Sequence, residues 1–368
     1  RFNVNVFEFD TLAQIGHELM IRYHCYDDVP ELAGKPATFI KQCAPKICVQ
    51  PAFNEPLYKT GSLVQIDKNG SYSATYAQFN GIPKGEPKLM TPTDFTNRDT
   101  FTYFYVLLNV ESFKCKHAED RFPILTSTGP FFCDKNTLEF ITTHYDAQYS
   151  FVSGYYFNEG FNTNIKTLAY DLYQMRLNLK AKGLRIESCF KLILASLWGK
   201  AQTKRSIFKN VMVSNDKFED FAVYNHSFLY KSVPISDDLN VVSLLNPVSL
   251  HYTRPQFSTN VLSHARCSLN SLFYQAADLD VPIYYSNTDS LVLDTVNLHK
   301  LGPILGDDLG QFKIERENIT KFICISAKKY IQKTPTESKV VGLHKLKNKP
   351  DDVEEYFEKL YNTITSIF

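Results

Sequence analysis

Apolar residues alternate along 281–293: Val281, Ile283 and Tyr285 precede a polar centre, and Leu291 and Leu293 follow it. Period-2 patterning on both sides of a short polar break predicts two strands meeting at a tight turn. The break is Asn287-Thr288-Asp289, whose short polar side chains suit a turn backbone. A carboxylate at a hairpin tip between buried strands is held rigidly at a sheet edge, as a hard cation such as Mg²⁺ requires of an oxygen ligand. An ordinary hairpin with an Asx-type turn has the same pattern.

The rest of the chain reads in the same terms. Thr11 to Arg22 has a partial helical face in Leu12, Ile15, Leu19 and Ile21, and Pro36, Pro45, Pro51 and Pro56 predict loops after it. Leu63–Ile66 reads as a buried strand ending in Asp67, with Gly70 marking a turn before Tyr72. A carboxylate at the end of a core strand, followed by turn N–H groups, can hold a metal and a phosphate side by side. Strands are expected at 101–110, 123–126 and 151–157, and a helix at 136–145. Ile165, Leu168, Leu172, Met175 and Leu179 predict a helix over 165–182 ended by Gly183, with Arg176 and Lys180 on another face. A second helix, 186–198, buries Ile186, Phe190, Ile193, Leu194 and Leu197 and carries Lys191, Ala195 and Trp198 together opposite. Strand-like pieces follow over 209–230, then a long helix over 257–276, strands at 310–315 and 322–331, and a C-terminal helix from 351.

Composition narrows the class. The chain has 368 residues, 44% hydrophobic and 14% aromatic, enough for a sizeable core and two or three substructures. Forty basic against 39 acidic residues leave +1, so any nucleic-acid surface has to be local. Lys200, Lys204, Arg205 and Lys209 form such a basic patch, and the helix pair gathers Arg176, Lys180 and Lys191, either as a solvated face or as a clasp for a triphosphate. Eight cysteines contain no CxxC pair, so reduced thiols in an intracellular protein are expected rather than zinc. No apolar run reaches membrane-spanning length. The chain begins at Arg1 without Met, which raises the expectation of a longer parent.

Taken in order, the pieces are a strand ending in Asp67, basic helices, the Asn-Thr-Asp hairpin and the unit Lys328-Lys329-Tyr330. Two carboxylates from distant strands, faced by a basic helix, suit phosphoryl transfer by two metals. The sequence resembles the polymerase region of protein-primed family B DNA polymerases. Asp67-Lys68-Asn69-Gly70-Ser71-Tyr72-Ser73 matches their D-x-x-S-L-Y-P, and Lys191 to Gly199 matches K-x-x-x-N-S-x-Y-G. Tyr285-Ser286-Asn287-Thr288-Asp289-Ser290 matches Y-x-D-T-D-S, and Lys328-Lys329-Tyr330 matches K-x-Y. Weaker echoes are His144-Tyr145-Asp146 through Gly154, and Leu309, Gly310 and Glu315. The resemblance spans roughly residues 61–345.

It implies an α+β fold: an antiparallel palm sheet, two-helix fingers and a partial thumb. The boundaries expected are a lead-in at 1–60, palm at 61–159 and 201–342, fingers at 160–200 and the start of a thumb at 343–368. It implies that Asp67 and Asp289, with Asn287, bind two Mg²⁺ ions. Tyr72, Arg176, Lys191, Trp198 and Gly199 would then bind the nucleotide. Tyr72 would lie under the deoxyribose and exclude a 2′-hydroxyl, and Lys328 and Tyr330 would grip the primer, with Lys200 and Lys204 as further DNA contacts. The expected partners are primer–template DNA, dNTPs and, as a candidate, a terminal priming protein.

The sequence also departs from the family. Asn287 stands where the hairpin has its first carboxylate and keeps a carbonyl but no charge; Ala195 replaces the fingers Asn; Trp198 replaces Tyr; and S-L-Y-P has become Gly70-Ser71-Tyr72-Ser73. No exonuclease carboxylate motif precedes Asp67, so proofreading is not expected. Two functions follow: a DNA-directed DNA polymerase or a core fragment of one, and a catalytically degenerate polymerase fold kept for nucleic-acid binding or assembly.

Overall fold

The computed structural model describes residues 2, 4–5, 8–46, 48–202, 206–247, 253–343 and 352–367. In chain order the strands are β1 (Val49–Pro51), β2 (Leu57–Lys68), β3 (Ile82–Pro83), β4 (Lys88–Leu89), β5 (Tyr103–Cys115), β6 (Gly129–Asp134), β7 (Tyr145–Phe157) and β8 (Phe161–Asn162). They continue as β9 (Ser206–Ser214), β10 (Leu229–Ser236), β11 (Leu239–Pro247), β12 (Ile283–Asn287), β13 (Ser290–Asp294), β14 (Phe312–Ser326), β15 (Lys329–Lys333) and β16 (Ser338–Val341). The helices are α1 (Leu12–Arg22), α2 (Gly34–Gln42), α3 (Ser71–Gln78), α4 (Pro92–Thr96), α5 (Lys135–His144), α6 (Asn164–Ala181), α7 (Glu187–Lys200), α8 (Asn215–Tyr224), α9 (Pro255–Asp278) and α10 (Val353–Thr365).

The central sheet has seven strands in the order β1-β12-β13-β2-β14-β15-β16, every pairing antiparallel. Alternation assigns its two faces. Val64, Ile66, Leu291 and Leu293 pack on Leu269, Leu272 and Phe273 of α9, so this face is largely apolar, and Lys68 at its end reaches Ser268 of the same helix. The other face carries Leu63, Val292, Tyr285 and Tyr330 and, further along β2, Gln65 and Asp67. Burial of the first face thereby turns Asp67 away from α9. A second sheet, β4-β7-β5-β6, lies on α5, and a three-stranded sheet, β10-β11-β9, is covered by Phe218 and Phe221 of α8. α6 and α7 pack against α1, α3 and the start of α9 in one core that includes Tyr76, Leu172, Leu197 and Phe257.

Most expected elements form, and the exceptions have local causes. The 36–56 stretch is not all loop: Pro36 sits in the first turn of α2, where its missing N–H has no intrahelical partner to lose, and 49–51 joins the central sheet. The first sixty residues are therefore integral, since α1 also packs on α7, with Gly16 against Leu197. No strand forms at 123–126; β6 carries the pairing at 129–134. Within 209–230 a helix, α8, replaces strand because Phe218 and Phe221 recur at a helical spacing over Val211, Val213 and Val242. The two C-terminal strands expected at 310–315 and 322–331 divide differently: 312–326 is one long bulged strand, and Lys328, at φ +56°, turns the chain into β15. α10 docks Phe357 on Ile323 and Ile331, and Lys321 and Lys333 both reach Glu354.

Ile66 is fully buried between Asp67's strand and α9. Ile66→Ala leaves a cavity in that layer, and urea unfolding is expected to show a loss of about 2–5 kcal/mol.

Candidate nucleotide and metal site

Backbone hydrogen bonds bring the two candidate carboxylates together. Asp67 is paired with Ser290 on one side and Lys313 on the other, and Lys68 N–H donates to the Asp289 carbonyl at 2.9 Å. Asn287 pairs with Ser290, which leaves Thr288 and Asp289 as a two-residue turn. Thr288 adopts φ +64°, an uncommon conformation for a β-branched residue, and its N–H donates to the Cys48 carbonyl at 2.8 Å, which pins the turn from the residue before β1. Behind the pair lies a buried amide ladder. Gln332 Nε2 donates to Gln65 Oε1 at 2.8 Å, and Gln65 donates to Ser290 Oγ and to Glu315.

The carboxylates open into a cleft of about 610 Å³ between the sheet end and the helices. Its walls include Asp67, Asp289, Tyr72, Arg176, Lys180 and Lys191. With Asp307, Lys68, Lys313 and Tyr173 also on its walls, chain segments more than two hundred residues apart deliver three acids, five bases and two aromatic rings to one space. Lys191 and Ala195 are exposed on it, one helical turn apart. Tyr72, on the first turn of α3, has its ring centroid 5.1 Å from that of Trp198. Tyr76, four residues on, accepts from Trp198 N–H at 3.3 Å and donates to the Leu194 carbonyl at 3.2 Å, locking α3 to α7.

The electrostatics are those of crowded acids. Burial, followed by repulsion from Asp67, pushes the Asp289 carboxyl up to about 7, against the pull of Lys191 and Lys68. Asp67 is also raised, by burial first, with Lys313 opposing and Glu315 adding. Burial, and then the charge of Asp289, pushes the Tyr72 phenol up to about 12, so it is neutral and able to donate. Burial lowers the Lys68 ammonium, whose Nζ donates to Ser268 Oγ at 3.2 Å.

Not every expected residue lands in the cleft. Arg176 lines it but is engaged, with its Nε 3.0 Å from Glu187 Oε2, an ion pair that joins α6 to the start of α7. Asn287 is not among the described residues lining the cleft. Trp198 reaches the cleft only through Tyr72, and a Cβ on Gly199 would meet nothing within 4 Å, so that surface is open. Lys200 ends α7, part-buried. Lys204 lies outside the described residues. Tyr330 is a core ring, 3% exposed, 5.1 Å from Tyr285 and 5.5 Å from Phe322, so it shapes the sheet and does not stand free to grip a strand. Lys328 is exposed at the turn, its N–H donating to Tyr285 Oη at 3.0 Å. Sequence reading missed Lys313, whose Nζ lies 3.6 Å from Asp67 Oδ1; no local pattern announces a contact made only by strand register.

Among the described residues, no group of three or more His, Cys, Asp and Glu side chains gathers at one point. The residues present nonetheless fit a hard divalent ion. Two mutually repelling carboxylates are held rigidly, and Mg²⁺ is commonly bound by one or two carboxylates with water and substrate phosphate completing the shell.

The sequence matches no family model and no curated protein. Solved structures do match. Phi29 DNA polymerase complexed with primer–template DNA superposes with a TM-score of 0.64 at 15% identity, over 90% of this chain and 57% of that one. Its orthorhombic crystal form gives 0.62 at 16% identity over 92% and 57%, and its ternary complex with incoming nucleotide gives 0.60 at 15%. The chain therefore has a Phi29-DNA-polymerase-like fold, mixed α and β with antiparallel sheets, and spans a little over half the length of those chains.

The raised Asp289 carboxyl has a pH signature. Between its ordinary 3.8 and about 7 the folded chain keeps a proton that the unfolded chain releases, so metal-free stability falls as pH rises through that window. Thermal unfolding in EDTA is expected at a lower temperature at pH 8 than at pH 5.5, by several degrees, with a flatter profile in Asp289→Asn.

Proposed function

We propose that the chain is the polymerase core of a protein-primed family B DNA polymerase, adding dNTPs to a primer 3′-OH or to a priming protein. The observation that carries this reading is the shared cleft: Asp67 and Asp289 face Tyr72, Lys191, Lys180 and Arg176 across one space. The Phi29-like fold and the four ordered motifs support it. In this reading the central sheet is palm, 160–200 are fingers, and α10 begins the thumb. The eight free cysteines fit an intracellular setting.

Each residue then has a physical task. Asp67 and Asp289 would hold two Mg²⁺ ions, which supply charge neutralisation and activate the attacking hydroxyl when bound. Lys191 and Lys180 offer point charges to a triphosphate from α7 and α6, and Arg176 joins them once it leaves Glu187. Tyr72, backed by Trp198, would present a neutral ring to the sugar and exclude a 2′-hydroxyl. The exposed turn at Lys328 offers a cation to a phosphate backbone, and Tyr330 supports that turn from the core through its packing on Tyr285.

Single-nucleotide incorporation on a primed template tests the reading. Incorporation is expected to need Mg²⁺ or Mn²⁺, to fall at least about 100-fold in Asp289→Ala and to rise in Asn287→Asp. Tyr72→Val is expected to accept ribonucleotides that the parent rejects. The second reading, a degenerate fold that binds nucleic acid, is favoured by Asn287, by Ala195 and by the Arg176–Glu187 pair. DNA binding without incorporation in the parent or in Asn287→Asp would establish it.

A further inference from the structure

We propose that Lys313 is the counter-ion of the metal-free carboxylate pair, a positioning residue that competes with a divalent cation for Asp67 and so sets how tightly the site holds one. This rests on the two-metal reading of the cleft. Lys313 lies on β14 directly across from Asp67 on β2, and its Nζ is 3.6 Å from Asp67 Oδ1. Its side chain is 48% exposed, so it is held by charge rather than packing and is free to swing away.

The neighbouring charges leave Lys313 this role. Glu315, two residues on, accepts from Gln65 and faces Lys339 at 3.8 Å, so its charge is matched elsewhere. Lys68 is turned toward α9 by its bond to Ser268, and Lys191 approaches from α7. Three ammonium groups thus act on the two carboxylates, while Glu315 adds negative charge at Asp67 and Asp307 lines the same cleft. A site that gathers divalent ions would ordinarily carry excess negative charge; here a tethered monovalent cation already sits on one ligand. An entering divalent ion must displace that ammonium or share an oxygen with it at a repulsive distance. Lys313 also lines the cleft, so once displaced its charge stays within the space where a triphosphate would lie.

Mn²⁺ binding to the full chain, followed by the loss of the free-ion EPR signal, tests this without reference to turnover. Lys313→Met is expected to bind Mn²⁺ about fivefold more tightly than the parent, the scale of one solvent-screened ion pair. Lys313→Arg is expected to stay within about twofold of it, because the charge is kept. Equal affinity in Lys313→Met and the parent, with both losing the ion in Asp289→Ala, would overturn the inference alone. Absence of Asp289-dependent Mn²⁺ binding in every protein would overturn the two-metal reading, and the inference with it. Circular dichroism melts confirm that the variants compared are folded.

Discussion

Two like charges held close together at the end of a sheet are the constraint around which this molecule is arranged. Asp67 and Asp289 come from strands that must be adjacent, β2 and β13, and a backbone bond from Lys68 to Asp289 fixes the second acid at the turn. Burial first, and then their mutual repulsion, raises the Asp289 carboxyl to about 7. The apolar layer of Val64, Ile66, Leu291 and Leu293 against α9 anchors the strands strongly enough to hold that arrangement. Thr288, kept at positive φ, adds a local cost of order 1–3 kcal/mol that the surrounding sheet sustains.

The cations answer the acids from three directions. Lys191 comes from a helix, Lys68 from the same strand as Asp67, and Lys313 from the neighbouring strand. Arg176 is paired with Glu187 at the join between α6 and α7. The helices are fixed to the sheet by α3: Tyr76 ties into α7 through two hydrogen bonds, and Tyr72 on the same helix faces the cleft. Changes in helix position would therefore be felt at Tyr72 and at the carboxylates together.

Much of this was legible in the sequence wherever one element carries the signal. Alternation around 287–289 announced the hairpin, and the 3.6-residue spacing of Leu168, Leu172 and Leu197 announced the helices, because burial of one face imposes those periods. The ordered motifs joined Asp67 to Asp289 although they lie 222 positions apart. What escaped depends on register or on competition between neighbours. Lys313 meets Asp67 only through pairing of β14 with β2, which shifts at three bulges. Arg176 meets Glu187 only after the chain has reversed between two helices. Tyr330 closes the K-x-Y motif whose resemblance implied a grip on the primer, yet the turn at Lys328 sends its ring into the core. Lys204 falls outside the described residues, and the basic patch it belongs to keeps only Lys200 and Lys209 within them.

The most direct test is anomalous diffraction from crystals grown with Mn²⁺, primer–template DNA and a non-hydrolysable dNTP. The expected map places Mn²⁺ at the oxygens of Asp67 and Asp289, with the triphosphate running toward Lys191 and Lys180 and the sugar against Tyr72. A map with nucleotide or metal bound elsewhere, and no anomalous peak at the carboxylate pair, would contradict the assignment of this cleft as a polymerase site.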